Sequence, residues 1–366
     1  MDQDMAARRR LLLHFDRPAS GSGFWKDTSL SSKDDIRTLA TPANFAEVRI
    51  TSGSTGEPLY VFYSQGAVRA FIDRTIVTLK KLGVSRSDTV LNLLAYGNFV
   101  PGSMYERACN EAEIPILALG TPNTHPMKKT LDAIEKARPT VWLAMPSYAL
   151  KLLDALESSG RGPLPREVMV TSERLLDSYV GRFRHFGIEL RTTFGLTECP
   201  AIGVSKPGDA MTQEVIGDGA YVEAVDVNGA TELAVTDLNN LSTPVIRYLT
   251  GDVIKNIKYG DDGSVIEFVP DRRNDDLIKI NGILVSKSAL VEALSKYSDD
   301  FTVRIETRND SDFLEVTFPK KCESREAEIR SYLSSVRVNK DIVFKTDVDV
   351  PVTGSGKLRH LVDRRA

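Results

Sequence analysis

Cysteine and histidine are scarce in this chain, three of the one and four of the other among 366 residues. Cys109, Cys199 and Cys322 stand far apart, so they form neither a disulfide framework nor a metal knuckle, and no histidines fall at ligand spacing. No apolar run approaches the roughly 20 residues of a membrane span. Arg8-Arg9-Arg10-Leu11-Leu12-Leu13 opens like a signal peptide, but residues 14–18 end the apolar stretch too early. A basic excess is also missing. The net charge of -3 argues against a partner bound through its phosphate backbone. Internal repeats and low-complexity tracts are absent. What remains, 42% hydrophobic and 27% charged residues, is ordinary globular composition. A soluble cytoplasmic protein is expected, with no membrane contact, no nucleic acid and no metal cluster.

Among what is present, one stretch organises the rest: Thr51-Ser52-Gly53-Ser54-Thr55-Gly56-Glu57-Pro58. Every residue of its first six is glycine or carries a hydroxyl, and strand-like segments flank it. Glycines permit positive φ and close backbone approach, hydroxyls donate, and exposed N–H groups form a nest for phosphate oxygens. No Gly-Lys-Ser/Thr follows, so it is not a Walker loop. By itself such a run is more often a plain hairpin loop or linker.

The length suits two domains, here residues 1–271 and 272–366. Ser31 or Ser32 caps a short first helix, and apolar residues at three- and four-residue steps predict another over 65–82. Short apolar strands then alternate with helices from residue 89 to 186. That alternation predicts βαβ units and a mostly parallel sheet, with ligands beyond the strands' carboxyl ends, where Tyr96, Asn123, Met145 and Glu173 gather. From 189 to 269 short strands dominate, broken by the hairpin signals Asn228-Gly229 and Asp262-Gly263. The last hundred residues mix strands and helices. The fold class expected is α/β: a large N-terminal domain with mostly parallel sheets and a small β-barrel-like part, plus a small mobile α+β C-terminal domain.

Four further stretches carry chemistry, although each alone is an unremarkable turn. In Thr192-Thr193-Phe194-Gly195-Leu196-Thr197-Glu198, Phe194 offers a stacking face, Thr197 a hydroxyl for phosphate and Glu198 an oxygen ligand for Mg²⁺. In Tyr248-Leu249-Thr250-Gly251-Asp252, the Asp252 carboxylate can accept both hydroxyls of a ribose. The cluster Asp271-Arg272-Arg273-Asn274-Asp275-Asp276 is an inter-domain turn able to act as a hinge. Thr353-Gly354-Ser355-Gly356-Lys357 presents a lysine as a point charge.

Together and in this order, the five stretches resemble the adenylate-forming superfamily of acyl- and aryl-CoA ligases, adenylation domains and luciferases. Gly120-Thr121-Pro122-Asn123-Thr124, Met145-Pro146-Ser147-Tyr148-Ala149 and Arg273-Asn274-Asp275-Asp276-Leu277-Ile278 resemble its phenylacetate–coenzyme A ligase branch. The resemblance implies ATP-dependent, AMP-forming activation of a small carboxylic acid, aromatic by the branch, with transfer to the thiol of coenzyme A or of a carrier protein's phosphopantetheine. It implies that Thr51, Ser52, Gly53, Ser54, Thr55 and Gly56 cradle phosphates, that Phe194 meets adenine, and that Glu198 holds Mg²⁺ beside Thr197. Asp252 then takes the ribose, aided by Arg273, with Glu173 also on the nucleotide side. Lys357 bridges carboxylate and α-phosphate, and Asp275 is the hinge. Lys279 and Gly282 face the thiol, and Tyr96, Phe99, Asn123, Met145 and Gly195 line the acid's pocket.

Three positions depart from the pattern: Glu57 stands for Lys, Phe194 for Tyr and Leu249 for Arg. Two alternatives follow. The acceptor is instead the chain's own Cys322 or an amine, or the protein binds nucleotide without catalysis.

Overall fold

Short apolar runs between amphipathic segments build the larger sheet. This computed structural model describes residues 28–51, 58–217, 219–281, 283–308, 311–334, 339–353 and 356–365. Ser52 to Gly56, Glu57, Gly282 and the signal-like stretch of residues 8–18 lie outside them. The first elements are α1 (Lys33–Arg37), β1 (Glu47–Ile50), β2 (Tyr60–Tyr63), α2 (Gln65–Lys81), β3 (Val90–Asn92), α3 (Val100–Glu111) and β4 (Ile116–Ala118). Next come α4 (Met127–Ala137), β5 (Val141–Ala144), α5 (Pro146–Ser159), β6 (Glu167–Val170), α6 (Asp177–His185) and β7 (Glu189–Phe194). Six strands follow: β8 (Gly203–Lys206), β9 (Asp209–Val215), β10 (Ala220–Val227), β11 (Ala230–Asp237), β12 (Tyr248–Tyr259) and β13 (Val265–Arg273).

Two compact units result, residues 1–173 with 183–271, and residues 174–182 with 272–366. In the first, β4, β3, β5, β6 and β7 lie side by side, all parallel. Every residue of β3, β5 and β6 is buried, the polar Asn92 and Glu167 included, as in strands covered on both faces. The strands expected as a barrel-like part run on from β7 in the same sheet, in the order β8, β9, β13, β12, β11, β10. Asn228 (φ 54°) and Gly229 (φ 79°) make the two-residue turn between β10 and β11 that their sequence predicts. β1 and β2 pair separately as an antiparallel hairpin. Beside it α2 buries Val68, Phe71 and Leu79, with Ser64 capping its first turn.

Ser32 caps α1 in a reciprocal box with Asp35. Ser31, the other candidate cap, instead donates its hydroxyl to the Ile246 carbonyl at 2.6 Å.

The second unit contains the hairpin β14 (Leu277–Ile280) and β15 (Ile283–Ser286), helix α7 (Lys287–Ser295), strands β16 (Thr302–Arg308) and β17 (Ser311–Pro319), helix α8 (Glu326–Ser334), and strands β18 (Asn339–Lys345) and β19 (Leu361–Asp363). Its sheet runs β18, β17, β16, β19 around a core that includes Phe301, Phe318 and Leu314. Residues 174–182 precede the expected boundary in sequence yet cluster with this unit. The Glu292 carboxylate accepts from the backbone N–H groups of Asp177 and Ser178, where a helix start leaves donors unpaired.

Candidate functional site

The hairpin of β1 and β2 sets the ends of the Ser/Thr/Gly loop. Thr51 N–H donates to the Leu59 carbonyl and its Oγ1 accepts from Leu59 N–H, both at 3.0 Å. Residues 52–57 are thus spanned by a doubly bonded base, and their own arrangement is outside the described residues.

Phe194 ends β7 with its ring edge-on to Phe268, 5.2 Å between centroids. Gly195 follows because a Cβ there would lie 2.8 Å from Ala201 N, too close for any side chain. The turn closes by Leu196 N–H on the Cys199 carbonyl at 3.0 Å and Ile202 N–H on Phe194 O at 2.9 Å. Inside it Glu198 is 4% exposed. The Tyr248 hydroxyl donates to its Oε1 at 2.8 Å, and the Tyr63 hydroxyl donates to the carbonyl of Thr197. Burial foremost, then the Glu198 charge, holds the Tyr63 phenol far above its ordinary range, so it remains a proton donor.

Asp252 lies four residues beyond Tyr248 on β12. Gly251 takes φ 75°, and Thr250 Oγ1 accepts from Asp252 N–H at 3.0 Å while donating to Leu233 O at 3.0 Å.

The expected acid pocket falls on loops after β3, β4, β5 and β7. The half-buried Tyr96 accepts from Asn92 Nδ2 at 2.9 Å, and burial foremost, then Glu106, raises its phenol. Phe99 precedes α3 and is half-buried, Met145 precedes α5 and is buried, and Asn123 and Gly195 are exposed. Arg49 of β1 donates to the Gly97 carbonyl, to Ser103 Oγ at 3.2 Å and to Glu47 at 2.6 Å, tying the hairpin to the Tyr96 loop. Glu173 accepts from Ser147 N–H at 3.1 Å, a carboxylate at the positive end of α5.

The second unit carries the other candidates. Lys357 stands in a tight turn: its N–H donates to Thr353 Oγ1 at 3.1 Å and its carbonyl accepts from Thr353 N–H at 2.9 Å. Arg273 and Lys279 are exposed, and Asp275 sits in the short 3₁₀ turn Asn274–Asp276. Gly282 is outside the described residues.

The sequence pattern of the AMP-binding enzyme family matches residues 2–234. This chain belongs to that family. Within it the chain is 24% identical to the phenylacetate–coenzyme A ligase of Escherichia coli (strain K12), over 92% of this chain and 84% of that one. Against the phenylacetate–coenzyme A ligase of Pseudomonas putida the identity is 23%, over 92% and 83%. The fold is similar to that of 2-hydroxyisobutyryl-CoA ligase crystallised in the postadenylation state with R3-HIB-AMP. There the TM-score is 0.76, at 13% identity, covering 98% of this chain and 85% of the other. The adenylate-forming superfamily and its phenylacetate–coenzyme A ligase-like branch therefore account for both sequence and fold.

Family membership makes the neighbours of Glu198 informative. No motif marks Tyr63, Tyr248 or Arg49, whose bonds to Thr197, Glu198 and Ser103 each span 50 or more positions. A buried Tyr in a strand carries no local sign of where its hydroxyl points. As for metal, no group of three or more His, Cys, Asp or Glu side chains converges among the described residues. A single buried carboxylate suits Mg²⁺, which keeps waters and substrate phosphates as its remaining ligands. Cys322 is 3% exposed, packed in the core of the second unit with its Sγ directed at Tyr297 O. That burial counts against it as an acyl acceptor, because a nucleophilic thiol must reach its electrophile.

Proposed function

We propose that this enzyme activates a carboxylic acid with ATP, forming an acyl-adenylate and pyrophosphate, and then transfers the acyl group to the thiol of coenzyme A or a carrier protein. A carboxylate is a poor acylating agent, because its charge repels nucleophiles and oxide leaves badly. Attack of its oxygen on the α-phosphorus breaks the bond to pyrophosphate and supplies AMP as the leaving group for the next step. Two anions must meet, so the protein's part is alignment and charge neutralisation.

The observation that carries this reading is the pairing of Glu198 with Tyr248, which links the family's acidic turn to the strand bearing Asp252. Asp252 would hold the ribose, Phe194 the adenine, and Thr51 with Ser52 to Gly56 the terminal phosphates. Bound Mg²⁺ at Glu198 would supply neutralisation of phosphate oxygens. Lys357 would face the charge building at phosphorus. After a turn about Asp275, Lys279 and Gly282 would face the thiol. Tyr96, Phe99 and Met145 favour a flat, aromatic acid, in keeping with the phenylacetate ligases among the relatives.

The test is pyrophosphate exchange over a panel of aryl, aliphatic and amino acids, followed by mass analysis of the thioester. Exchange with one or a few aryl acids, and a coenzyme A thioester of matching mass, is expected. Exchange with none of the panel would overturn the reading.

A further inference from the structure

Two buried phenols join the three stretches of the first unit that the proposed function needs. Tyr63 ends β2, the strand leaving the Ser/Thr/Gly loop, and its hydroxyl donates to the carbonyl of Thr197. Tyr248 begins β12, the strand of Asp252, and its hydroxyl donates to Oε1 of Glu198 at 2.8 Å. Tyr63 is 0% and Tyr248 1% exposed. One phenol holds the main chain just before Glu198 and the other holds its carboxylate.

The fold fixes both rings firmly. Tyr63 packs edge-on against Phe71 of α2, centroids 4.9 Å apart. Ahead of Tyr248, Arg247 adopts the left-handed conformation, φ 44°, which a non-glycine residue takes only where its surroundings impose it. Its guanidinium is held by the Glu223 carboxylate at 3.1 Å and by the Thr28 carbonyl at 2.6 Å. Ser31 bonds the chain on both sides of the ring, its N–H to Arg247 O at 3.0 Å and its carbonyl from Leu249 N–H at 2.8 Å. The tyrosine is thus aimed by a bent strand start that three residues, Thr28, Ser31 and Glu223, secure.

We propose that Tyr248, with Tyr63 in support, is a positioning residue that orients Glu198 for Mg²⁺–nucleotide. This rests on the reading of Glu198 as the metal's carboxylate. A carboxylate with one oxygen occupied by a phenol presents the other to a cation in one direction. Freed of that bond it rotates about its last torsion, a broad two-fold well. Partners that orient a metal-ligating side chain typically contribute about 10- to 100-fold to metal affinity. Removing the hydroxyl while keeping the ring isolates this effect from packing.

The experiment titrates Mn²⁺ by electron paramagnetic resonance into the full chain with α,β-methylene-ATP, an analogue that cannot be cleaved at the α-phosphorus. Wild type, Tyr248→Phe, Glu198→Gln and the double variant are compared, each checked for an unchanged thermal transition. Tyr248→Phe is expected to weaken Mn²⁺ about 10- to 100-fold, and to have little further effect in the Glu198→Gln background. Tyr63→Phe is expected to lower the rate of pyrophosphate exchange while leaving KM for the acid unchanged.

An unshifted Mn²⁺ titration in Tyr248→Phe, or a loss that simply adds to that of Glu198→Gln, would overturn the proposal while the functional reading stands. Wild-type Mn²⁺ binding that ignores Glu198→Gln would instead remove the reading of Glu198 on which the proposal rests.

Discussion

Arg74 of α2 reaches Asp237 at the end of β11 at 3.4 Å, with the two side chains 1% and 0% exposed. The second guanidinium nitrogen donates to Cys199 Sγ at 3.6 Å, the residue after Glu198. Asp237 accepts in addition from the backbone of Asn239 at 2.8 Å and Asn240 at 3.3 Å. Burial, foremost, pushes the Cys199 thiol up to about 12, so it stays protonated. A buried pair of this kind contributes little net stability, but breaking it strands a charge.

Asp237→Asn is therefore expected to cost about 3–5 kcal/mol, measured by urea denaturation. Arg74→Met with Asp237→Leu should recover much of that loss, since two apolar groups leave no charge unpaired. A single variant within about 0.5 kcal/mol of wild type, the range of an ordinary surface change, would show that the pair is not what holds this corner together.

Glu167 predicts a pH dependence. It opens β6, is 3% exposed, and receives Arg166 at 3.1 Å on one oxygen. Burial, the largest influence, pushes its carboxyl up to about 7 from 4.5, with Glu189 adding to it and Arg166 and Arg191 opposing. A carboxyl whose folded value is raised binds its proton more tightly in the folded state. Its contribution is therefore complete below about pH 4.5 and is lost as pH rises through about 7. The wild type should lose up to about 3 kcal/mol from this group between pH 5 and 8. Glu167→Gln should remove that part of the slope. The opposite shift of Asp88, down to about 2 beside Arg166, acts below this window. Parallel curves of wild type and variant from pH 5 to 8 would contradict the assignment.

The contrast between these buried groups and the motifs shows where sequence is eloquent. Periodicity exposes α2, because a helix on a core must repeat its apolar residues. It also exposes β5, and β6 beyond its first residue Glu167, because a strand covered on both faces is mostly apolar. Asn228-Gly229 announces its own turn through the φ values the pair tolerates. Nothing comparable marks Tyr63, Tyr248, Arg74 or Asp237. Their partners are set by which strands lie adjacent, and the continuation of the sheet from β7 through β8 has no signature in spacing. Gly195 lies between: its place in the motif is visible, whereas the approach of Ala201 N that demands it is not.

Lys357→Ala tests the first half-reaction. The turn that carries Lys357 is closed by its own main chain and Thr353, so removing the amine leaves the turn's bonds intact. Loss of one preorganised donor typically costs about 10²–10³ in rate. Pyrophosphate release should fall by about that factor, with ATP binding, followed by calorimetry, preserved. An unimpaired release rate would refute the role.

Asp275→Pro tests the second. The residue lies in the 3₁₀ turn that joins Arg273, at φ -97° and ψ 154°, to Leu277, at φ -82° and ψ 134°. Reorientation of the following segment about Asp275 draws on its φ and ψ, and proline removes the first by fixing φ near -65°. The residue before it, Asn274, is also driven from the helical region. If adenylation proceeds without that rotation and thioester formation requires it, the variant should retain pyrophosphate exchange within a few-fold and accumulate acyl-adenylate. Thioester formation should fall at least 10-fold, equivalent to about 1.4 kcal/mol on the barrier. Rapid-quench measurement of both products separates the steps. Equal loss of the two, or loss of neither, would mean that the chain does not pivot at Asp275.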